Sequence, residues 1–257
     1  WGTEMDLRKK IAELMPTVRA ELAELVAIQS VADERQFPPQ ECSRAAEWVR
    51  DKFAELGFET RLEETADGSL AVIGTRSGAR ADAPTVLLYA HYDVQPPLDE
   101  SAWRTPPFEL TEVDGRWYGR GAADCKGNIV MHLAALRALG DEIDINLKLV
   151  VEGSEEQGTG GLEELVVAQP DTFRADAILV CDTGNAAVGK PAATVTLRGM
   201  VNVVVTMESS STELHSGMFG GAAPDALAAL VHTLATLRDS DGNTTIDGLE
   251  SDQVWRG

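Results

Sequence analysis

The sequence has few cysteines, and their spacing suggests no disulfide framework. Its 257 residues include three cysteines, Cys42, Cys125 and Cys181, and no two of them are separated by only two residues. An odd number without that spacing favours neither structural disulfides nor a zinc site built from thiolates. The sequence therefore predicts reducing surroundings, and a cytoplasmic location is the default expectation.

Long apolar runs and an excess of positive charge are also missing. No apolar run approaches the roughly 18 residues of a membrane-spanning helix, and no basic-then-apolar leader pattern opens the chain. Acidic residues number 42 against 22 basic ones, giving a net charge of -20. This charge repels phosphate backbones and anionic lipids. Neither nucleic acid nor a membrane is therefore an expected partner.

Strand-like and helix-like segments alternate along most of the chain, which predicts an α/β fold. Apolar residues at three- and four-residue spacing predict helices over 5–14, 16–28, 45–56, 126–139 and 161–168. Short apolar runs predict strands over 58–63, 70–75, 85–90, 146–151 and 175–180, with a hairpin at Asp114-Gly115. This order is typical of a mostly parallel sheet flanked by helices.

The pattern changes after Gly189-Lys190-Pro191. Residues 193–198 and 201–207 alternate like half-buried strands, and residues 224–237 form an apolar helical pattern. We interpret residues 1–191 as one α/β domain and residues 192–257 as the start of a smaller α+β domain.

Acidic and histidine residues follow three of the predicted strands. The strand at 85–90 leads into His91-Tyr92-Asp93, the next into Glu155-Glu156, and the last into Asp182. Ligands of open α/β sheets bind at the carboxyl ends of the strands. Each motif alone is common on surface loops, but their shared position at strand ends favours a hydrolase with a two-metal centre.

Asp124 lies in the glycine-rich segment 119–127, directly before a predicted helix. A phosphate-binding loop is the rival interpretation of such a segment. That loop requires Gly-Lys followed by Ser or Thr, whereas here Lys126 precedes Gly127 and Asn128 follows. The phosphate interpretation fails, and a carboxylate that bridges two cations is the alternative.

The remaining candidates are assigned by position and by neighbouring residues. His91 and Asp93 are two residues apart on an extended segment, so the carboxylate can orient the imidazole. Glu155 and Glu156 are adjacent, so one can bind metal while the other accepts a proton from metal-bound water. His215 lies in a glycine-rich loop and is a candidate proton or oxyanion partner. His132 and His232 lie within predicted helices and are interpreted as structural.

Four ordered motifs together resemble the carnosinase-type, cytosolic non-specific dipeptidases of the co-catalytic zinc family that includes aminoacylase and carboxypeptidase G. The motifs are His91–Pro96, Gly119–Gly127, Glu152–Gly158 and Leu214–Gly221. The resemblance implies a zinc-exopeptidase-like catalytic domain followed by a lid or dimerisation domain. It also implies a dipeptide substrate and a homodimer formed through the lid domain.

The resemblance further implies a role for each candidate residue. His91 would bind one metal and Glu156 the other, Asp124 would bridge both, and Asp182 would complete the set of ligands around the first metal. Asp93 would orient His91, Glu155 would be the general base, and His215 would reach a neighbouring subunit's site to stabilise the oxyanion. A cis peptide is implied between Asp124 and Cys125. Zinc is the first choice for the two divalent ions, with manganese as the alternative.

The sequence departs from the family pattern at two points. Cys125 stands where the family usually has a second aspartate, and the family supplies a further metal-binding histidine and a carboxylate-binding arginine from a C-terminal half that lies beyond Gly257. We therefore expect an N-terminal fragment that is inactive alone, from a parent that hydrolyses dipeptides. The alternatives are an N-acyl amino-acid deacylase or desuccinylase of the same family, and a non-catalytic homologue.

Overall fold

The computed structural model describes residues 4–249 except residues 81, 159, 186, 188 and 198. The chain divides into two compact units, Trp1–Ala193 and Thr194–Gly257, called unit 1 and unit 2 below. No helix in the described part of the chain is both long and apolar enough to cross a bilayer.

Unit 1 is built around a five-stranded sheet and a separate hairpin. Its strands are β1 (Glu59–Glu64), β2 (Leu70–Arg76), β3 (Thr85–His91), β4 (Thr111–Val113), β5 (Arg116–Tyr118), β6 (Asn146–Glu152) and β7 (Ala177–Leu179). The sheet order is β1-β2-β6-β3-β7, and β4 pairs with β5. Strand β3 is parallel to β6 and β7, whereas β2 is antiparallel to both β1 and β6. Within this sheet β2 alone runs against the others, which confirms the predicted mostly parallel α/β fold.

Helices cover both faces of the sheet. These helices, all in unit 1, are α1 (Glu4–Ala27), α2 (Pro39–Ala54), α3 (Lys126–Leu139), α4 (Leu162–Ala168) and α5 (Pro170–Phe173). Unit 2 has its own helices, α6 (Ser216–Phe219) and α7 (Ala226–Ala235). Helices α1, α2 and α3 pack with Val72, Leu149 and their neighbours on one face. Helices α4 and α5 pack against Ile73 and Val150 on the other. Successive residues of β2 and β6 thus point to opposite faces, and both faces are buried because both are apolar.

The predicted break in the first helix is wrong. Two segments were expected, with the second beginning at Pro16, but α1 continues through Pro16 as one helix of 24 residues. A proline inside a helix removes one backbone hydrogen bond, the one to the carbonyl four residues earlier. Ala12 and Pro16 are both exposed, so water can solvate that carbonyl, and the flanking turns continue the helix.

The two strands predicted at the start of unit 2 are also wrong. The described residues of 193–198 and of 201–207 form no strand, and Arg198 lies outside the described residues. A strand needs a neighbour to satisfy its backbone groups, and the described part of unit 2 offers only an isolated bridge between Arg238 and Thr244. None of the described residues in 194–249 is buried. The alternating apolar residues therefore have neither a paired strand nor a core to cover them.

Candidate metal centre

His91 is the last residue of β3, and its side chain is fully buried. Its Nδ1 lies 3.1 Å from the carbonyl oxygen of Asp93 and 3.3 Å from Asp93 Oδ1. An imidazole held in this way at one nitrogen has a fixed ring orientation and presents the other nitrogen to a partner. Asp93 thus directs Nε2 of His91 towards the carboxyl end of the sheet.

Three carboxylates from separate segments converge on that nitrogen. His91 Nε2 lies 3.0 Å from Asp124 Oδ1, 3.3 Å from Asp182 Oδ2 and 3.8 Å from Glu155 Oε2. Asp124 precedes α3, Asp182 follows β7, and Glu155 opens the turn after β6. The parallel arrangement of β3, β6 and β7 brings these residues together, because the carboxyl ends of parallel strands meet at one edge.

Asp93 also fixes the turn that carries the two glutamates. Its Oδ1 accepts a hydrogen bond from the backbone N–H of Glu155 at 3.2 Å, and its Oδ2 accepts one from Glu156 at 3.0 Å. Asp93 is fully buried. One carboxylate therefore sets the positions of both the imidazole of His91 and the turn after β6.

Glu155 and Glu156 have different partners. Burial raises the pKa of Glu155, nearby His91 opposes this, and the negative charges of Glu156, Asp93 and Asp182 raise it further. Glu156 instead accepts a hydrogen bond at Oε2 from Gln95 Nε2 at 2.8 Å. No described ion-pair contact joins Glu156 to His91. The Glu155 carboxylate thus belongs to the His91 group, whereas Glu156 lies beside it and is held by Gln95.

The donor set fits a divalent cation. Burial acts to lower the pKa of His91, but hydrogen bonds with Asp93 and Cys125 outweigh it and raise that pKa to about 12. The surrounding groups therefore favour a positive charge at the imidazole. A metal ion takes the place of a proton on its ligands, and one imidazole with several carboxylates is a donor set used for zinc and acceptable to manganese.

Two glycines show how closely the backbone packs around the site. A Cβ added to Gly127 would lie 2.1 Å from the carbonyl oxygen of Ala122, and one added to Gly153 would lie 2.0 Å from the hydroxyl of Tyr92. Both positions exclude any side chain. The peptide bond between Asp124 and Cys125 is cis, as expected.

The burial and the shifted pKa values of Glu152 and Lys126 were not predicted from the sequence. Glu152 is buried at the end of β6, accepts a hydrogen bond from Tyr89 at 2.7 Å through Oε1, and has no hydrogen-bond partner for Oε2 among the described residues. Burial raises its pKa to about 7. Lys126 is also buried, donates to the carbonyl of Ile28 at 2.6 Å, and has its pKa lowered by burial to about 7. The available signal in the sequence was a charged residue that lies within a motif and also at the boundary of an apolar helix or strand.

Of the other histidines, His132 belongs to unit 1, and His215 and His232 belong to unit 2. His132 is buried on α3 with Nε2 3.3 Å from the carbonyl oxygen of Tyr89, which confirms its structural interpretation. His232 is exposed on α7. His215 is an exposed residue of unit 2, and its Nδ1 accepts a hydrogen bond from the backbone N–H of Gly217 at 3.1 Å.

Comparisons with known proteins agree on one family. The chain is 46% identical over 216 residues to a cysteinylglycine-S-conjugate dipeptidase of Corynebacterium striatum, covering 83% of this chain and 47% of that protein. It is 36% identical over 245 residues to a Beta-Ala-His dipeptidase of Mus musculus, covering 89% and 49%. The solved structure of human carnosine dipeptidase 1 is similar with a TM-score of 0.67 and 30% identity, covering 95% of this chain and 54% of that one.

These matches concern about half the length of each relative. A family model described as peptidase family M20/M25/M40 matches residues 87–248, which is more than half of the chain. That range includes His91, Asp124, Glu155 and Asp182, together with the turn that carries Glu155. The chain therefore belongs to the peptidase family M20/M25/M40.

Proposed function

We propose that the protein containing this chain hydrolyses the amide bond of dipeptides with the help of two divalent metal ions. The observation that carries the proposal is the convergence of Asp124, Asp182 and Glu155 on His91 Nε2 at distances of 3.0–3.8 Å. The names of the relatives, dipeptidases for cysteinylglycine conjugates and for Beta-Ala-His, support a dipeptide as the substrate.

In this proposal His91 and Asp182 hold one cation, Glu156 holds the other, and Asp124 binds both. Zinc is the proposed metal, with manganese as the alternative. Bound cations of this kind lower the pKa of an attacking water and polarise the scissile carbonyl. Asp93 acts through His91, because it holds Nδ1 and leaves Nε2 as the ligand atom.

Glu155 is the proposed general base. Its side chain is 38% exposed, so a substrate and a water molecule can reach it, and its carboxylate is 3.8 Å from His91 Nε2. The raised pKa brings the carboxyl group closer to the range in which it can both accept and release a proton. Glu155 would take the proton from the attacking water and pass it to the leaving amine.

His215 is the proposed oxyanion partner, supplied by a second copy of the chain in a homodimer. Because its Nδ1 accepts the hydrogen bond from Gly217, the neutral ring carries its proton on Nε2 and can donate there. A donor aimed at a developing oxyanion stabilises the transition state more than the substrate. Mixing subunits that carry Glu155→Gln with subunits that carry His215→Ala should restore part of the activity that each variant lacks. Absence of any recovery in a mixed dimer would contradict this arrangement.

The substrate class is tested by assaying zinc-loaded protein against cysteinylglycine, β-alanyl-histidine, N-acetyl amino acids and N-succinyl amino acids. We expect turnover of the two dipeptides and little of the N-acyl compounds. A preference for the N-acyl compounds would assign a deacylase instead.

A cytoplasmic location stays part of the proposal, supported by three free cysteines in the described chain.

A further inference from the structure

Cys125 faces the His91 group. Its side chain is fully buried. One potential ligand atom from each of His91, Cys125 and Asp182, the thiol sulfur among them, lies within 4.8 Å of the other two. Nitrogen, sulfur and oxygen atoms at such separations can bind one cation that sits between them.

The amide of Asn128 connects two members of this group. Its Nδ2 donates to Cys125 Sγ at 3.4 Å and lies 3.5 Å from Asp182 Oδ1. Asn128 lies in the first turn of α3, so the helix that begins after Cys125 also positions the thiol and the carboxylate. The same sulfur lies within 4.8 Å of a ring nitrogen of His91.

The alternative interpretation is that Cys125 is a purely structural residue that fills space in the core. Free cysteine is among the most buried residue types and behaves as a small apolar side chain, and Cys125 does pack against the apolar cluster that includes Ile129 and Val130. A filler residue, however, needs no polar partner. The hydrogen bond from Asn128 and the short separations from His91 and Asp182 show that the sulfur also faces the polar group.

We propose that Cys125 is a sulfur donor to the cation held by His91 and Asp182. The thiol binds as the thiolate, and its proton leaves to solvent when the cation enters. This inference rests on the proposed function, because it concerns the same metal centre. It adds a soft donor to a site of nitrogen and oxygen ligands, and soft donors favour zinc over manganese.

The test is titration of the metal-free chain with Co2+, followed by absorption spectroscopy. Visible ligand-field bands report that cobalt is bound, and a sulfur-to-cobalt charge-transfer band in the near ultraviolet reports a thiolate ligand. We expect both sets of bands in the unmodified chain. Cys125→Ser should lose the charge-transfer band and keep the visible bands, whereas the matched variants Cys42→Ser and Cys181→Ser should keep both.

A chain with only one cysteine guards against a failure of Cys125→Ser to fold. The double variant Cys42→Ser with Cys181→Ser retains Cys125 alone, and a charge-transfer band in that protein assigns the ligand. We also expect Cys125→Ser to lower zinc affinity about 10- to 100-fold while changing manganese affinity much less.

Three results overturn the inference, and the absence of binding is distinguishable from the other two. Bound cobalt without a charge-transfer band, or with a band that disappears only in Cys181→Ser, rules out Cys125 as a ligand and leaves the proposed function intact. Absence of cobalt binding overturns both the sulfur ligand and the metal centre itself.

Discussion

Two clusters of charged side chains in unit 1 have opposite charge balance. The first, the helix cluster, consists of Glu21, Lys52 and Arg137 between α1, α2 and α3. Arg137 contacts both oxygens of Glu21, at 2.6 Å and 2.7 Å, and Lys52 lies 3.3 Å from Oε1. One buried carboxylate therefore has two basic partners.

The second, the sheet-end cluster, consists of His91, Asp93, Asp124, Glu155 and Asp182. Its described ion-pair contacts have one basic member, His91, which meets all four carboxylates. Like charges gathered around one imidazole repel one another, and desolvation increases the cost of each.

The difference in charge indicates that the helix cluster serves the stability of the fold and that the sheet-end cluster serves its function. In the helix cluster the Glu21 carboxylate is paired with two basic side chains of its own chain, so this cluster contributes to the stability of the fold. The sheet-end cluster has an excess of negative charge, and a bound cation would offset that excess. Substitutions in the two clusters should therefore affect different measurements.

The largest expected effect concerns Glu155. In the protein that contains this chain, we expect Glu155→Gln to lower the rate of dipeptide hydrolysis about 100- to 10,000-fold, because the amide cannot accept a proton. Metal content, measured by elemental analysis, should stay the same, since Glu155 is not a proposed ligand. Glu163→Gln, an exposed change on α4, is the control and should leave both quantities unchanged. Loss of metal together with activity would place Glu155 among the ligands instead.

Glu21 tests the opposite cluster. We expect Glu21→Gln to lower the free energy of unfolding by about 3 kcal/mol, because it leaves Arg137 without its charged partner in a largely buried position. Zinc affinity should not change. Glu13→Gln, in an exposed pair with Lys9 on the same helix, should cost about 0.5 kcal/mol or less.

The free energy of unfolding that Glu21 contributes should depend on pH in a defined direction. Burial acts to raise the pKa of Glu21, but hydrogen bonds and charge interactions with Arg137 and Lys52 outweigh it, and the pKa is lowered from 4.5. The stabilisation by Glu21 is therefore present above that ordinary value and is lost as the pH falls below it. The free energies of unfolding of the unmodified protein and of Glu21→Gln, measured by denaturant titration, should converge in acid. A constant difference between them from pH 3 to pH 7 would contradict this.

The sequence predicted the sheet well and unit 2 poorly for one physical reason. The apolar runs that became β3 and β6 pair with each other and with β2 and β7, so periodicity and partner agreed. The runs at 193–198 and 201–207 have the same alternation, but the described residues of unit 2 supply no strand beside them. Periodicity tells which face of a strand would be buried, and it does not tell whether a partner is present.

The candidate site shows the same limit on a smaller scale. The convergence of His91, Asp124 and Asp182 was predictable, because each motif follows or precedes a recognisable element and parallel strands share an edge. The hydrogen bonds that Asp93 accepts from the turn at Glu155 and Glu156 were not predictable, because one carboxylate can contact two segments only when they are close in space. For the same reason the orientation of the Cys125 sulfur could not be read from its position beside Asp124.

Asp182 tests whether the sheet-end cluster serves metal binding and not stability. We expect Asp182→Asn to lower zinc affinity about 100-fold, measured by competition with a chelating dye, because a charged ligand is lost. The free energy of unfolding of the metal-free protein should stay equal or rise, since one of the crowded negative charges is removed. Asp171→Asn, at a position that is 90% exposed, is the control. A marked loss of stability without metal would show that Asp182 is structural.

Glu152 provides the smallest and most specific test. Burial raises its pKa from 4.5 to about 7, so the neutral carboxyl stabilises the fold below the ordinary pKa, and that contribution is lost as the pH rises through 7. Relative to the metal-free protein, Glu152→Gln should gain about 2 kcal/mol in free energy of unfolding between pH 5 and pH 8. Glu59→Gln, exposed on β1, should show no such change, and parallel curves for Glu152→Gln would rule out a neutral carboxyl. Glu21 and Glu152 are both buried, but among the described ion-pair contacts basic side chains meet Glu21 and none meets Glu152. The pKa is therefore lowered in Glu21 and raised in Glu152.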